Sequence, residues 1–125
     1  MFENNTVYVK AKAFAKNIVF LYQHLTRYAL YKEYTMSKQM LRSGTSIGAN
    51  IKEALYAQST PDFIAKLSIA LKEAGETEYW IELLTETNYL NPVRSNEIMS
   101  DCQELIKLLA AIIKRKKGIP DTPDA

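Results

Sequence analysis

Glu78, Glu82 and Glu86 recur at four-residue steps, which stacks three carboxylates on one helical face, the placement that carboxylate-bridged metal bundles use. Such centres also take Glu-x-x-His pairs, and the single histidine, His24, has Leu21 three residues before it. The glutamates are therefore expected to form a solvated acidic face or a subunit contact, and no metal or other cofactor is expected. Cys102 is the single cysteine and has no partner for an internal disulfide. Its neighbours Leu105, Ile106 and Leu109 suit a small core filler better than a nucleophile. No Ser or Cys stands in a recognisable arrangement with His24, and there is no glycine-rich phosphate loop or Walker motif. No catalytic residue, and hence no enzyme, is expected.

Binding chemistry is better represented. Lys114, Arg115, Lys116 and Lys117 form a basic run that can hold phosphates, with Lys10, Lys12 and Lys16 as candidate helpers. The same run would also complement the negative end of a helix, so a solvated terminus is the competing reading. Arg42, Ser46 and Asn50 are four apart and Glu53 follows three later, so with Ser43 they can line a polar stripe. Arg42 could offer that stripe to a carboxylate or phosphate. Alternatively, the stripe meets Glu73, Glu76 or Tyr79 in a buried polar network that sets helix register or subunit contact. Eight tyrosines and Trp80 include candidate stacking platforms for bases. Tyr28 falls on a core stripe, however, and Trp80 shares a face with Leu84 and Thr87, which fits core or subunit interface.

Four periodic segments must carry these groups. From about residue 6 to 31, Val7, Ala11, Phe14, Ile18, Leu21, Leu25 and Tyr28 alternate steps of four and three, predicting an amphipathic helix capped by Thr6. A second helix is expected over 37–58, entered at Thr35 or Ser37. A third is expected over 61–88, with Thr60 as cap, Pro61 in the first turn and Asp62 at the positive end of the dipole; its seam is Phe63, Leu67, Ala70, Ala74, Thr77, Ile81 and Leu84. The last, over 92–117, places Ile98, Cys102, Leu105, Leu109 and Ile112 on one face, is capped by Asn91 or Ser95, and stops at Gly118. Short connections between four such helices imply an all-α, antiparallel up-down-up-down four-helix bundle spanning residues 1–118 as one domain. Residues 119–125 are expected to be an unstructured tail on composition.

Within the second helix, Met40, Gly44, Ile47, Ile51 and Ala54 share a face. Gly44 and Gly48 each cost about 1 kcal/mol of helix propensity against Ala, so a neighbouring helix is expected to approach closely there, with Ala70 and Ala74 as candidate partners. At 125 residues, 47% apolar and 24% charged, the chain has the make-up of an ordinary globular protein. Its net charge of +2 is unevenly spread. Residues 1–60 carry eight Lys/Arg against three Asp/Glu, and residues 61–93 carry two against six. The start has neither a basic n-region nor a continuous apolar run, and no eighteen uninterrupted apolar residues follow, so a cytoplasmic protein with no membrane contact is expected.

The run from Ser37 to Ala54, with Phe63 to Ala74 and Glu76-Thr77-Glu78-Tyr79-Trp80, resembles the bacterial four helix bundle protein family, also called the intervening-sequence protein family. Members are encoded within intervening sequences of large-subunit ribosomal RNA genes. A related branch is the accessory variability protein of diversity-generating retroelements, a pentameric barrel that binds nucleic acid and the reverse transcriptase through a strongly basic surface. The resemblance implies a cytoplasmic bundle that forms a homo-oligomer, with a pentamer favoured, and no catalytic residue. This chain is nearly neutral with an acidic third helix, and Gly75 stands where a longer polar side chain is expected. Two functions are carried forward: an accessory protein binding RNA or DNA through a basic surface, and a scaffold for a protein partner without nucleic-acid affinity.

Overall fold

The computed structural model describes residues 5–119. Four α-helices follow in order: α1 Asn5–Gln23, α2 Met36–Ala54, α3 Thr60–Glu86 and α4 Pro92–Lys116; there is no strand among the described residues. Each helix packs on two neighbours, α1 on α2 and α4, and α3 on α2 and α4. Contacts run in opposite directions along successive helices. Gly44 meets Ile18 and Gly48 meets Ala11, Ser43 meets Thr77 and Glu53 meets Lys66, and Cys102 meets Ala74 while Lys116 meets Phe63. The bundle is therefore antiparallel throughout, and its core contains the predicted stripes, Val7 to Leu25, Met40 to Ala54, Phe63 to Leu84 and Ile98 to Ile112.

The helix ends differ from expectation where side chains outside the periodic pattern compete for backbone groups. Thr6 lies inside α1, and what precedes Asn5 falls outside the described residues. At the far end, α1 widens into a π-turn, His24–Tyr28, closed by the Ala29 N–H donating to the His24 carbonyl at 2.8 Å. The wider turn rotates the chain off the heptad after Leu25, so Tyr28, expected in the core, is 74% exposed. Thr35 stands at the entry of α2 but makes no side-chain cap, and Ser37 lies inside the helix. The buried Glu33 carboxylate does the capping: Oε2 accepts from the N–H groups of Thr35 (3.0 Å) and Met36 (3.1 Å), and Oε1 from that of Ser37 (2.7 Å). Helix α2 ends at Ala54, four residues short of expectation.

Ser59, not Thr60, caps α3, its Oγ accepting from the Asp62 N–H at 3.2 Å while the Asp62 carboxylate accepts from the Gln58 N–H. Asn88 closes the far end of α3 in the left-handed region at φ 71°. Asn91 caps α4 as expected, accepting from the Arg94 N–H at 2.9 Å. Gly118 follows α4 at φ 76°, and residues 120–125 of the expected tail lie outside the described residues. No helix among the described residues is long and apolar enough to cross a membrane.

The close approach at the glycines is made by α1, not by Ala70 and Ala74 of α3. A Cβ on Gly44 would sit 2.9 Å from Ile18 Cγ2, whereas one on Gly48 would meet Ala11 at an ordinary 3.7 Å. Ile18 is fully buried and β-branched, so its χ1 cannot swing aside. Gly44→Ala is therefore expected to lose about 1 kcal/mol net, overpacking of roughly 1–3 kcal/mol outweighing the gain in helix propensity. Gly48→Ala is expected to be neutral or up to about 1 kcal/mol stabilising. Thermal melts of the two variants check this, and the reverse order of stability would overturn it. Gly75, expected to loosen α3, is helical and faces open space.

Candidate nucleic-acid interface

The antiparallel arrangement brings the first turns of α1 and α3 and the last turns of α2 and α4 to the same end of the bundle. Toward that end, over residues 5–12, 52–66 and 104–117, the described residues include nine bases, Lys10, Lys12, Lys52, Lys66, Lys107, Lys114, Arg115, Lys116 and Lys117, against three acids, Glu53, Asp62 and Glu104. The opposite end, over residues 24–42 and 78–101, carries five bases, Arg27, Lys32, Lys38, Arg42 and Arg94, against six acids, Glu33, Glu78, Glu82, Glu86, Glu97 and Asp101. The near-neutral total thus hides a charge separation along the bundle axis. Lys16 continues the α1 row one turn further from the basic end and is exposed.

Several of these cations are already positioned. Lys10 Nζ pairs with Glu104 of α4 at 3.2 Å, and Lys66 Nζ with Glu53 of α2 at 3.4 Å. Lys52 Nζ lies 5.1 Å from the centre of the Tyr8 ring, and Lys116 Nζ lies 5.3 Å from that of Phe63, so both stems are laid along aromatic faces. Lys12, Lys114, Arg115 and Lys117 are exposed. Four consecutive cations after Ile113 also offset the carbonyl end of α4. They can do both, since a helix terminus holds partial charge while phosphate oxygens need full charges with mobile stems.

The Arg42 stripe divides into separate parts. Arg42 bridges α2 to α3: Nη2 donates to Glu76 Oε2, and Nη1 lies 3.5 Å from Glu73 Oε1, an otherwise unpartnered and solvent-shielded oxygen. Trp80 Nε1 donates to the same Glu76 oxygen at 3.0 Å, and Tyr79 packs edge-on against Trp80. Ser46 and Asn50 instead donate back to carbonyls of their own helix, Arg42 and Ser46 respectively, and Glu53 turns to Lys66. The Arg42 bridge is half-exposed, not a buried network. The buried polar contact lies one residue away, where the Ser43 and Thr77 hydroxyls meet at 2.8 Å; Thr77 Oγ1 is also 2.7 Å from the Glu73 carbonyl.

The hydrogen bond from Arg42, reinforced by that from Trp80, holds the Glu76 carboxyl below the usual carboxylate range. A depressed native value means that the bridge stabilises fully above pH about 4.5 and is lost as pH falls through the native value. Melting temperature is therefore expected to fall on acidification below about pH 4.5. Arg42→Ala should lower it by a few degrees at neutral pH and flatten this acid limb. Parallel melts of both proteins from pH 7 to pH 3 measure the difference, and superimposable acid limbs would remove Glu76 from the account.

The other candidate groups are not arranged for chemistry. Cys102 is fully buried, its thiol 3.3 Å from the Ala74 carbonyl, and burial, with the Glu78 charge added, pushes its pKa up to about 12. Glu78 accepts from Gln103 Nε2 at 3.1 Å, while Glu82 and Glu86 are exposed. Among the described residues, no three His, Cys, Asp or Glu side chains are grouped to hold a metal ion. His24 is half-buried in the π-turn.

The match of sequence to a family model, that of the 23S rRNA-intervening sequence protein, runs over residues 3–111 and takes in all but the last turn and a half of the bundle. The chain belongs to the 23S rRNA-intervening sequence protein family. Among solved structures it is similar to a protein of unknown function from the S23 ribosomal protein family of Bacteroides thetaiotaomicron VPI-5482. The two are 56% identical, the match covers 86% of this chain and 98% of the other, and the TM-score is 0.83. No match was found among curated proteins. In this chain, the basic run Lys114 to Lys117 lies just past the end of the family match.

Two surface features separate tyrosines that the sequence offers only collectively as stacking platforms. Tyr56, 74% exposed, stands beyond the last turn of α2 at the basic end. At the opposite end, Tyr28, Leu30, Tyr31 and Tyr34 are exposed along the segment joining α1 to α2. The α1–α4 seam, the thinnest of the four, opens near that end into a groove of about 680 Å³ lined by Asn17, Phe20, Leu21, Arg94, Glu97 and Asp101 among others. Periodicity marks core faces only, so an exposed ring has a sequence signal only once the helix boundary is known.

Proposed function

We propose that this protein is a non-enzymatic accessory protein of the cytoplasm that binds RNA or DNA through the basic end of its bundle and assembles as a homo-oligomer, with a pentamer favoured. The observation that carries the reading is the nine-to-three excess of cations over acids at one end of a nearly neutral molecule. The excess comes from α1 and α4, since Lys52 and Lys66 on α2 and α3 are matched by Glu53 and Asp62, and the fold contributes by setting the start of α1 beside the end of α4. An assembly of subunits around an axis would repeat the patch and raise apparent affinity through multivalency.

Fluorescence titration of the full chain with single-stranded RNA, structured RNA and duplex DNA, at low and physiological salt, tests the reading. Binding with a steep salt dependence is expected. Absence of binding at low salt would refute it and favour the second reading, a scaffold for a protein partner. The exposed Tyr28, Leu30, Tyr31 and Tyr34, with Phe20 beside the α1–α4 groove, motivate that alternative, because clustered aromatics of this kind suit protein contacts. Light scattering on the same sample measures the subunit number, and a monomeric mass would refute the oligomer.

A further inference from the structure

Resting on the assignment of the basic end as a nucleic-acid surface, we infer that this end selects single-stranded over duplex nucleic acid by stacking an unpaired base on Tyr56. Three observations converge on that ring. It is 74% exposed, which for a tyrosine leaves most of its face open to a planar ligand. Its backbone is ordered: the Tyr56 N–H donates to the Glu53 carbonyl at 3.0 Å, and the preceding Leu55 N–H to that of Ile51 at 3.2 Å. The ring is thus mounted on the end of α2 and not on a free loop. Finally, Tyr56 follows Lys52 by one helical turn, and Lys52 is laid over Tyr8.

Cation and ring are thereby spaced as a phosphate site and a base site on one edge of the bundle. Lys66 on α3, paired with Glu53, and the cations after Ile113 on α4 stand at the same end of the bundle. A single strand can place a phosphate against Lys52 and turn the adjoining base onto the ring, at no cost in broken pairs. A duplex keeps its bases stacked inside and can offer the same edge only its phosphates, so it would gain the electrostatic part of the interaction without the stacking part.

The test uses the full chain with a single-stranded oligonucleotide carrying 2-aminopurine and with the duplex formed from the same strand and its complement. The single strand is expected to bind about 10-fold tighter than the duplex at physiological salt, with quenching of the 2-aminopurine emission as it stacks. Tyr56→Ala should weaken single-strand binding about 10-fold, leave duplex binding unchanged and abolish the quenching, while the slope of affinity against salt stays the same. Tyr56→Phe keeps the ring and should retain both affinity and quenching. Equal binding of strand and duplex, together with no effect of Tyr56→Ala, would overturn the inference while leaving the basic end as a phosphate surface. Failure of the unaltered protein to bind either probe at low salt would overturn both.

Discussion

Replacing Lys114, Arg115, Lys116 and Lys117 together by Glu is expected to abolish nucleic-acid binding at physiological salt and to flatten what salt dependence remains. If each side chain neutralises one phosphate of a single strand, removing the four lowers the slope of log affinity against log salt by about three. At physiological salt that alone is a loss of about 100-fold, and reversal of charge adds repulsion from the phosphates. Of the other cations of this end, Lys10 paired with Glu104 and Lys66 paired with Glu53 would have to leave carboxylates to take over, and Lys52 lies against the Tyr8 ring. Because four glutamates at the carbonyl end of α4 also oppose the helix dipole, the Gln variant at the same positions serves as a companion. It should keep the melting temperature and still lose most of the affinity. Gel shift or anisotropy titrations at three salt concentrations measure both quantities, and an unchanged affinity in the Gln variant would remove the α4 terminus from the interface.

Glu33→Ala should destabilise the bundle by about 2–3 kcal/mol, more than an ordinary helix cap contributes, because one carboxylate serves three backbone donors in a buried position. The residue also closes the connection through its own backbone. Its N–H donates to the Leu25 carbonyl in the π-turn at 3.0 Å, and its carbonyl accepts from Ser37 Oγ at 2.7 Å. Alanine preserves the backbone bonds and leaves the N–H groups of Thr35, Met36 and Ser37 without their acceptor. For a chain of this size the expected fall in melting temperature is about 10 °C. Glu33→Gln keeps the length but presents an N–H₂ group to one set of donors, so it should lie between Ala and the unaltered protein. A melting temperature within about 2 °C of the unaltered protein for Glu33→Ala would show that water satisfies these donors equally well.

Glu33 also shows why some features were hidden in the sequence. Ser and Thr are favoured at the residue that opens a helix, and Thr35 and Ser37 are the candidates on that basis. Here the acid precedes the helix and reaches forward to it, a geometry that depends on how the π-turn delivers the chain. Tyr28 has the same origin, since its heptad position is correct on paper and the π-turn cancels it three residues after Leu25. Arg42 had its acidic partners on α3 legible from spacing, but Ser46 and Asn50, equally well spaced, spend their side chains on their own helix. Small polar groups find a carbonyl four residues back without any partner, whereas a long guanidinium reaches across to the next helix.

By itself, the sequence determined the four helices, their antiparallel order and the core residues from Val7 to Ile112. These follow from local causes: a 3.6-residue period sets which face is apolar, and short connections leave no other order of packing. Tertiary structure alone decided that Gly44 and Gly48 admit α1, that Glu33 caps α2, and that the cations of four helix ends gather at one end of the bundle. Each of these depends on the axial register between helices, which is set by the interlocking of side chains such as Ile18 against Gly44. That register, unlike the period along one helix, has no sequence signature within a single segment.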